Sequence, residues 1–152
     1  MPSLLTQLLR LASDLDRLVV AAEWDSAAVL IVNEMGRGLI LKRGPTAPWM
    51  PNRWNLPGGS RDPGETSSKD VAQRECEEEL GVHATHLEFY GPVHGADYVL
   101  HLYLAWGYSG SIRLNKAENT DMEWVSVEEL DEYQFIPGLK EAIREALTAA
   151  SR

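Results

Sequence analysis

Residues 54–82 read WNLPGGSRDPGETSSKDVAQRECEEELGV and place a glycine pair shortly before a carboxylate-rich segment. Helical periodicity covers residues 67–80, and Gly81 follows where a helix commonly ends in a left-handed cap. At about 100° per residue, Glu75, Glu78 and Glu79 fall within an arc of about 100°. The pattern therefore predicts an amphipathic helix that presents three carboxylates on one face.

Three like charges on one helix face repel one another, so a compensating group is expected. A hard divalent cation, which prefers oxygen ligands, is one candidate. The other interpretation is a solvated acidic face, which is what most charge runs are. The pair Gly58-Gly59 favours the first interpretation, because glycine lets a backbone approach a ligand closely and the Gly59 carbonyl can serve as a further oxygen ligand.

This pattern resembles the signature of the Nudix hydrolases, which reads Gly, five residues, Glu, seven residues, then Arg-Glu-aliphatic-any-Glu-Glu-any-Gly-aliphatic. The fixed positions are filled by Gly59, Glu65, Arg74, Glu75, Glu78, Glu79, Gly81 and Val82. Cys76 takes an aliphatic position, as a small buried hydrophobe can. The likeness extends over most of the chain from about Ala27 onward.

One residue more than the signature requires separates Glu65 from Arg74, eight in place of seven. An extra residue inside a helix would rotate the two side chains apart by about 100°. We therefore predict that Thr66-Ser67-Ser68 absorbs it before regular helix begins, with Ser67 or Ser68 as the cap and Ser67 with Asp70 resembling a capping box. Continuous helix from Glu65 would contradict this prediction.

The resemblance implies a hydrolase that cleaves a nucleoside diphosphate linked to another moiety by in-line attack of water at phosphorus. It implies Mg²⁺, or Mn²⁺, as cofactor, held by Glu75, Glu78 and Glu79 with the Gly59 carbonyl. Arg74 and Glu65 then act as orienting groups. Members often add a later glutamate as ligand or general base. Glu118 is the candidate here, with Asp121 and Glu123 as rivals and a solvated acidic loop as the alternative.

The remaining patterns indicate an α/β or α+β order of elements. Predicted strands cover residues 27–32 and 38–43, paired as a hairpin, then 87–93, 98–106 and 123–127; residues 44–57 are predicted as a loop and 137–150 as a closing helix. By resemblance the fold is a Nudix-type α/β/α sandwich with a mixed sheet, in a single domain over residues 1–152. Residues 1–22 form a helical extension whose leucines recur every three or four residues. This extension packs on its own domain or forms a homodimer contact.

The chain has 23 acidic and 14 basic residues, for a net charge of -9, which disfavours binding to duplex nucleic acid. Residues 35–61 are an exception, because they carry five basic residues and no acidic one. Arg43 and Arg53 in this block are candidate contacts for a substrate phosphate. A single cysteine fits a reducing compartment, so a cytoplasmic location is expected, and no segment reads as a membrane span or signal peptide.

Three functions compete on these observations. The leading one is a Mg²⁺-dependent pyrophosphohydrolase acting on a small-molecule nucleotide, with nucleoside triphosphates, oxidised ones included, as first substrates. The second is a nucleotide-sugar or dinucleotide hydrolase, because the signature reports the diphosphate and not what is attached to it. The third, of another class, is a ligand sensor with a Nudix fold and no turnover. The intact set of Arg74, Glu75, Glu78 and Glu79 argues against the sensor. RNA decapping is disfavoured by the charge.

Overall fold

The computed structural model describes residues 3–5, 7 and 24–150, and residues 24–150 contain seven strands, two α-helices and one 3₁₀ helix. The elements are β1 (Ser26–Ile31), β2 (Gly38–Arg43), β3 (Trp54–Asn55), β4 (Gly58–Ser60), α1 (Ser68–Leu80), β5 (His83–His94), β6 (Val99–Ser109), β7 (Asn119–Val125), the 3₁₀ helix (Val127–Glu132) and α2 (Leu139–Ala150). Strands and helices therefore mix in the predicted order, with two short strands that sequence reasoning missed.

The predicted N-terminal helix lies mostly outside the described residues. Leu4, Leu5 and Gln7 are described and helical, and the Gln7 amide donates to the Ser3 carbonyl at 3.1 Å. Whether the extension packs on its own domain or mediates a homodimer concerns residues beyond this set. The interpretation of residues 1–152 as one domain stays a prediction.

The strands form two sheets, and the predicted hairpin of residues 27–43 is wrong because its two strands belong to different sheets. The first sheet has the order β4-β1-β6-β5, with β1 and β6 parallel and the other pairs antiparallel. The second has the order β3-β2-β7 and is antiparallel. An isolated bridge pairs Val32, the residue after β1, with Gly38 at the start of β2. Both strands are buried, and each finds its hydrogen-bond partners in later segments.

Two helices cover opposite faces of the first sheet, which confirms the mixed α/β/α architecture. Helix α1 buries Val71, Ala72, Cys76 and Leu80 against Ala27, Val29 and Ile31 of β1. Helix α2 buries Leu139, Ile143 and Leu147, at the predicted four-residue spacing, against Leu30, Leu102 and Leu104. Residues of β1 alternate between these two cores, as the two-residue period of a strand requires. The sheet is thereby buried on both faces.

The start of α1 absorbs the extra residue as predicted. Residues 61–67 are not helical, and the helix begins at Ser68. The Ser67 hydroxyl accepts from the Asp70 amide at 3.2 Å, which makes Ser67 the N-cap. Gly81 ends the helix with φ at 68° and donates to the Glu77 carbonyl. The insertion therefore lengthens the loop and leaves the carboxylate face of α1 unchanged.

The predicted loop over residues 44–57 contains the short strand β3, whose Trp54 and Asn55 pair with Lys42 and Leu41. The last predicted strand is displaced toward the N-terminus, because Ser126 caps the 3₁₀ helix that follows β7.

In the described part of the chain, no helix is both long and apolar enough to cross a bilayer.

Candidate active site

The glycine pair of β4 lies directly against the carboxylate face of α1. Gly59 pairs with Ala27 of the buried strand β1, which fixes its position. A Cβ placed on Gly59 would lie 2.6 Å from the Cδ and Oε1 atoms of Glu75. A side chain at position 59 would therefore displace the Glu75 carboxylate, which occupies the space that a Cβ would fill. The close approach expected from the sequence is to a carboxylate of the protein itself.

Glu79 is the most buried acid of the group, with 5% of its surface exposed. The Gly58 amide donates to Glu79 Oε2 at 2.7 Å, and Asn119 Nδ2 donates to Oε1 at 3.3 Å. Burial raises the pKa of Glu79 to about 9, against the lowering effect of the Gly58 hydrogen bond. Burial likewise raises the pKa of Glu75, opposed by the positive charge of Arg74.

Glu118 reaches these two acids from the loop before β7. Carboxylate oxygens of Glu75, Glu79 and Glu118 lie within 4.8 Å of one another. The loop is tied to the end of α1, because the Asn115 amide donates to the Glu79 carbonyl at 2.8 Å. Neither Asp121 nor Glu123 joins this group among the described residues. The folded chain thus brings Glu118, the candidate among the later acids, together with Glu75 and Glu79 of α1.

Arg74 connects the signature's first glutamate to the helix. Its Nη2 and Nε atoms bind the two carboxylate oxygens of Glu65 at 2.7 and 3.1 Å. Its Nη1 atom contacts Glu75 Oε1 at 2.9 Å and both oxygens of Glu78 at 3.3 Å. The hydrogen bond from Arg74 lowers the pKa of Glu65. Arg74 therefore holds the extended loop and the Glu75 carboxylate in one network.

Glu78 stands apart from the three converging acids. Its side chain is half exposed and contacts Arg74, although it shares the helix face of Glu75 and Glu79. A helix face spans a wide arc, and Glu75 and Glu79 are the members directed at Gly59 and Gly58 of β4. Glu78 lies at the solvent side of the group.

The two candidate arginines occupy different surroundings. Arg43 lines a cavity of about 380 Å³ together with Glu75, Glu79 and Glu118. Arg53 is not among the residues that line this cavity, and its Nη1 atom donates to the Phe135 carbonyl at 3.3 Å. The cavity thus combines three carboxylates and one guanidinium, a set that can hold a cation beside an anionic ligand.

Sequence reasoning missed two partners of Glu79, the Gly58 amide and the Asn119 side chain. The sequence indicates Gly58 only as one of a glycine pair that lets the backbone approach a ligand closely. Asn119 carries no signal, because a single amide in an acidic loop has neither periodicity nor motif spacing. Both contacts join residues far apart in the chain, so only the packing of β4 and β7 around α1 reveals them.

The chain is similar to known proteins in both sequence and fold. A family model described as NUDIX domain matches residues 23–146. The structure of a MutT NUDIX hydrolase from Burkholderia pseudomallei is 28% identical, with 79% of this chain and 94% of that chain covered and a TM-score of 0.68. A MutT protein from Methanosarcina mazei Go1 is 25% identical, with coverage of 86% and 96% and a TM-score of 0.68.

A Caenorhabditis elegans Ap4A hydrolase shares the fold at 20% identity, with 83% of this chain and 95% of that chain covered and a TM-score of 0.60. No curated protein sequence matches the chain significantly.

Proposed function

This chain belongs to the NUDIX family, a family of hydrolases of pyrophosphate bonds, and we propose that it is a Mg²⁺-dependent pyrophosphohydrolase that cleaves a nucleoside triphosphate, oxidised or not, by water attack at phosphorus. The observation that carries the proposal is the convergence of Glu75, Glu79 and Glu118 within 4.8 Å in an open cleft. The similarity to a MutT NUDIX hydrolase at 28% identity supports a hydrolase.

The chemistry of this donor set fits Mg²⁺. Mg²⁺ takes oxygen ligands and is commonly bound by one or two carboxylates together with substrate phosphates. We assign Glu75 and Glu79 as ligands, with the Gly59 carbonyl and Glu78 as further members of the set; Mn²⁺ accepts the same donors. When bound, the ion supplies charge neutralisation on the bridging phosphate oxygens.

The protein's own groups supply orientation and proton transfer. Glu118 reaches the cleft from a different segment than the helix acids, and its side chain is accessible to solvent. We therefore assign Glu118 as the general base that orients and deprotonates the water that attacks phosphorus. Arg74, braced by Glu65, fixes the Glu75 carboxylate. Of the two arginines, we assign the phosphate contact to Arg43, because it lines the cleft and has a guanidinium suited to phosphate oxygens.

The test is a panel of nucleoside triphosphates, nucleotide sugars and dinucleotides, assayed with Mg²⁺ for release of phosphate and pyrophosphate. Glu75→Gln, Glu79→Gln and Glu118→Gln are each expected to lower kcat by at least about 100-fold. Glu77→Gln is the matched control, because Glu77 lies on the same helix and contacts the exposed His83 instead. Full activity in the three variants would overturn the site assignment.

The same panel separates the alternatives. Turnover confined to nucleotide sugars or dinucleotides would replace the proposed substrate class, and the family fold permits this, since an Ap4A hydrolase shares it. Nucleotide binding without turnover of any substrate would identify a sensor. We further propose a cytoplasmic location, supported by a single cysteine that is buried and unpaired in the described residues.

A further inference from the structure

A second cavity, of about 540 Å³, adjoins the carboxylate cleft. The two share Arg43, Pro48 and the backbone of Gly58–Ser60, but none of the three acids lines the second cavity. Its volume lies in the range of small-molecule sites. A ligand bound across both cavities would therefore place one part beside the acids and another part beyond Arg43.

Two aromatic residues belong to the lining of this cavity. Trp49 and Tyr98 line it and meet edge to face, with ring centroids 5.8 Å apart. Tyr98 is itself anchored, because its hydroxyl donates to the Pro137 carbonyl and its ring packs against Gly95. Tyr98 thus fixes the position of the Trp49 indole from one side.

Arg43 also contacts Trp49 and lies over its ring. Its Nε atom donates to the Trp49 carbonyl at 2.8 Å, and its guanidinium carbon lies 5.4 Å from the indole centroid. The following loop contains two non-glycine residues in the left-handed region, Met50 with φ at 47° and Asn52 with φ at 63°. Such conformations are costly and are found where a site requires a particular backbone.

Three other aromatic residues near loops lie outside this cavity. Trp54, Tyr133 and Phe135 pack on one another with centroid separations of 4.9 and 6.5 Å, and none of them lines the 540 Å³ cavity. Trp49 is therefore the indole that a ligand in this cavity meets.

We propose that Trp49 is a specificity-determining residue that stacks on the purine base of the substrate, while Arg43 and Tyr98 position its ring. This inference rests on the proposed function, because it takes the ligand to be a nucleotide whose phosphates reach the acids. Arg43 borders both cavities. The base would therefore lie in the cavity lined by Trp49, and the phosphates would lie in the cleft lined by the acids. A purine, with its two fused rings, offers the indole a larger stacking area than a pyrimidine.

The test measures binding without turnover, in Mg²⁺, by isothermal titration calorimetry. The probes are a non-hydrolysable ATP analogue and inorganic tripolyphosphate, which has no base. Trp49→Ala is expected to weaken binding of the analogue about tenfold and to leave tripolyphosphate binding unchanged, because base stacking alone is lost. Trp49→Phe is expected to restore most of the difference, whereas Trp49→Leu, which keeps apolar volume, is not.

Trp106→Ala is the control, because it removes an exposed indole that does not line either cavity. Melting temperatures establish that each variant is folded. An equal loss for both probes in Trp49→Ala, or no loss for either, overturns the inference. Base-dependent binding in a protein that hydrolyses nothing would contradict the proposed function and leave the role of Trp49 supported.

Discussion

Replacing Gly59 by alanine tests the close contact between position 59 and the Glu75 carboxylate. The new Cβ would lie 2.6 Å from the Glu75 carboxylate carbon, and ordinary contact begins near 3.4 Å, so that carbon must retreat by about 0.8 Å. Gly59 has no positive φ, so alanine adds no backbone strain. The substitution also keeps the main-chain carbonyl. Its effect therefore falls on the position of the Glu75 carboxylate.

A displacement of this size exceeds the tolerance of a precise site, which is about 0.5 Å, and Mg²⁺ demands near-ideal ligand geometry. A misplacement of about 1 Å can lower activity by about 100-fold, which corresponds to about 2.7 kcal/mol of lost transition-state stabilisation. We therefore expect Gly59→Ala to reduce kcat/KM by about two orders of magnitude and to require more Mg²⁺ for half-maximal rate.

The assay is Mg²⁺-dependent hydrolysis of the best substrate from the panel, with thermal unfolding measured in parallel. Gly58→Ala is the matched comparison, because its Cβ would lie 2.5 Å from the Ala27 carbonyl oxygen and 2.6 Å from Ala28 Cβ, within the buried β1 strand. We expect Gly58→Ala to lower stability by about 1–3 kcal/mol. Gly59→Ala should keep a melting temperature near that of the wild type. Wild-type kcat/KM and Mg²⁺ dependence in Gly59→Ala would refute the steric reasoning.

Three further predictions concern other parts of the molecule. Arg74→Ala should lower kcat by about 10- to 100-fold by releasing Glu65 and the adjacent carboxylates, and Arg74→Lys should recover only part of this in steady-state assays, because lysine cannot bind both Glu65 oxygens. The pKa of Glu129 is lowered by hydrogen bonds from Ser126 and by the charge of Arg37, so its contribution to stability is present above its unfolded value of 4.5 and is lost as pH falls through the lower folded value. Urea unfolding should show Glu129→Gln less stable than wild type at neutral pH, with the difference shrinking as pH falls below 4.5; a constant difference would contradict this. Burial raises the pKa of the Cys76 thiol to about 12, so a thiol reagent should label native protein far more slowly than urea-unfolded protein, and rapid native labelling would count against the burial.

Some features of the site followed from residues close together in the chain. The helix over residues 68–80, its Ser67 cap and its Gly81 end were predicted with an error of at most one residue, because caps and helical periodicity depend on neighbours within about four positions. The same local reasoning located the extra residue of the signature before the helix, and the structure confirms this.

Other features required the folded chain. Residues 27–43 have the local pattern of a hairpin, yet β1 pairs with β6 and β4 while β2 pairs with β7 and β3. Alternating apolar residues specify which side chains are buried but not which strand supplies the hydrogen bonds. Strand pairing depends on how the whole sheet is buried between α1 and α2. That burial involves all segments of the chain and not one pair of neighbouring strands.

Spacing along single segments is enough to predict the family resemblance, the carboxylate face of α1 and most of the strands and helices. The packing of distant segments brings Glu118 to Glu75 and Glu79 and leaves Glu78 in contact with Arg74 at the solvent side. It also decided that Arg43, and not Arg53, borders the cleft. The physical reason is that the cleft forms where β4, α1 and the loop before β7 pack together, and the distances between such segments are not encoded in the spacing within any one of them.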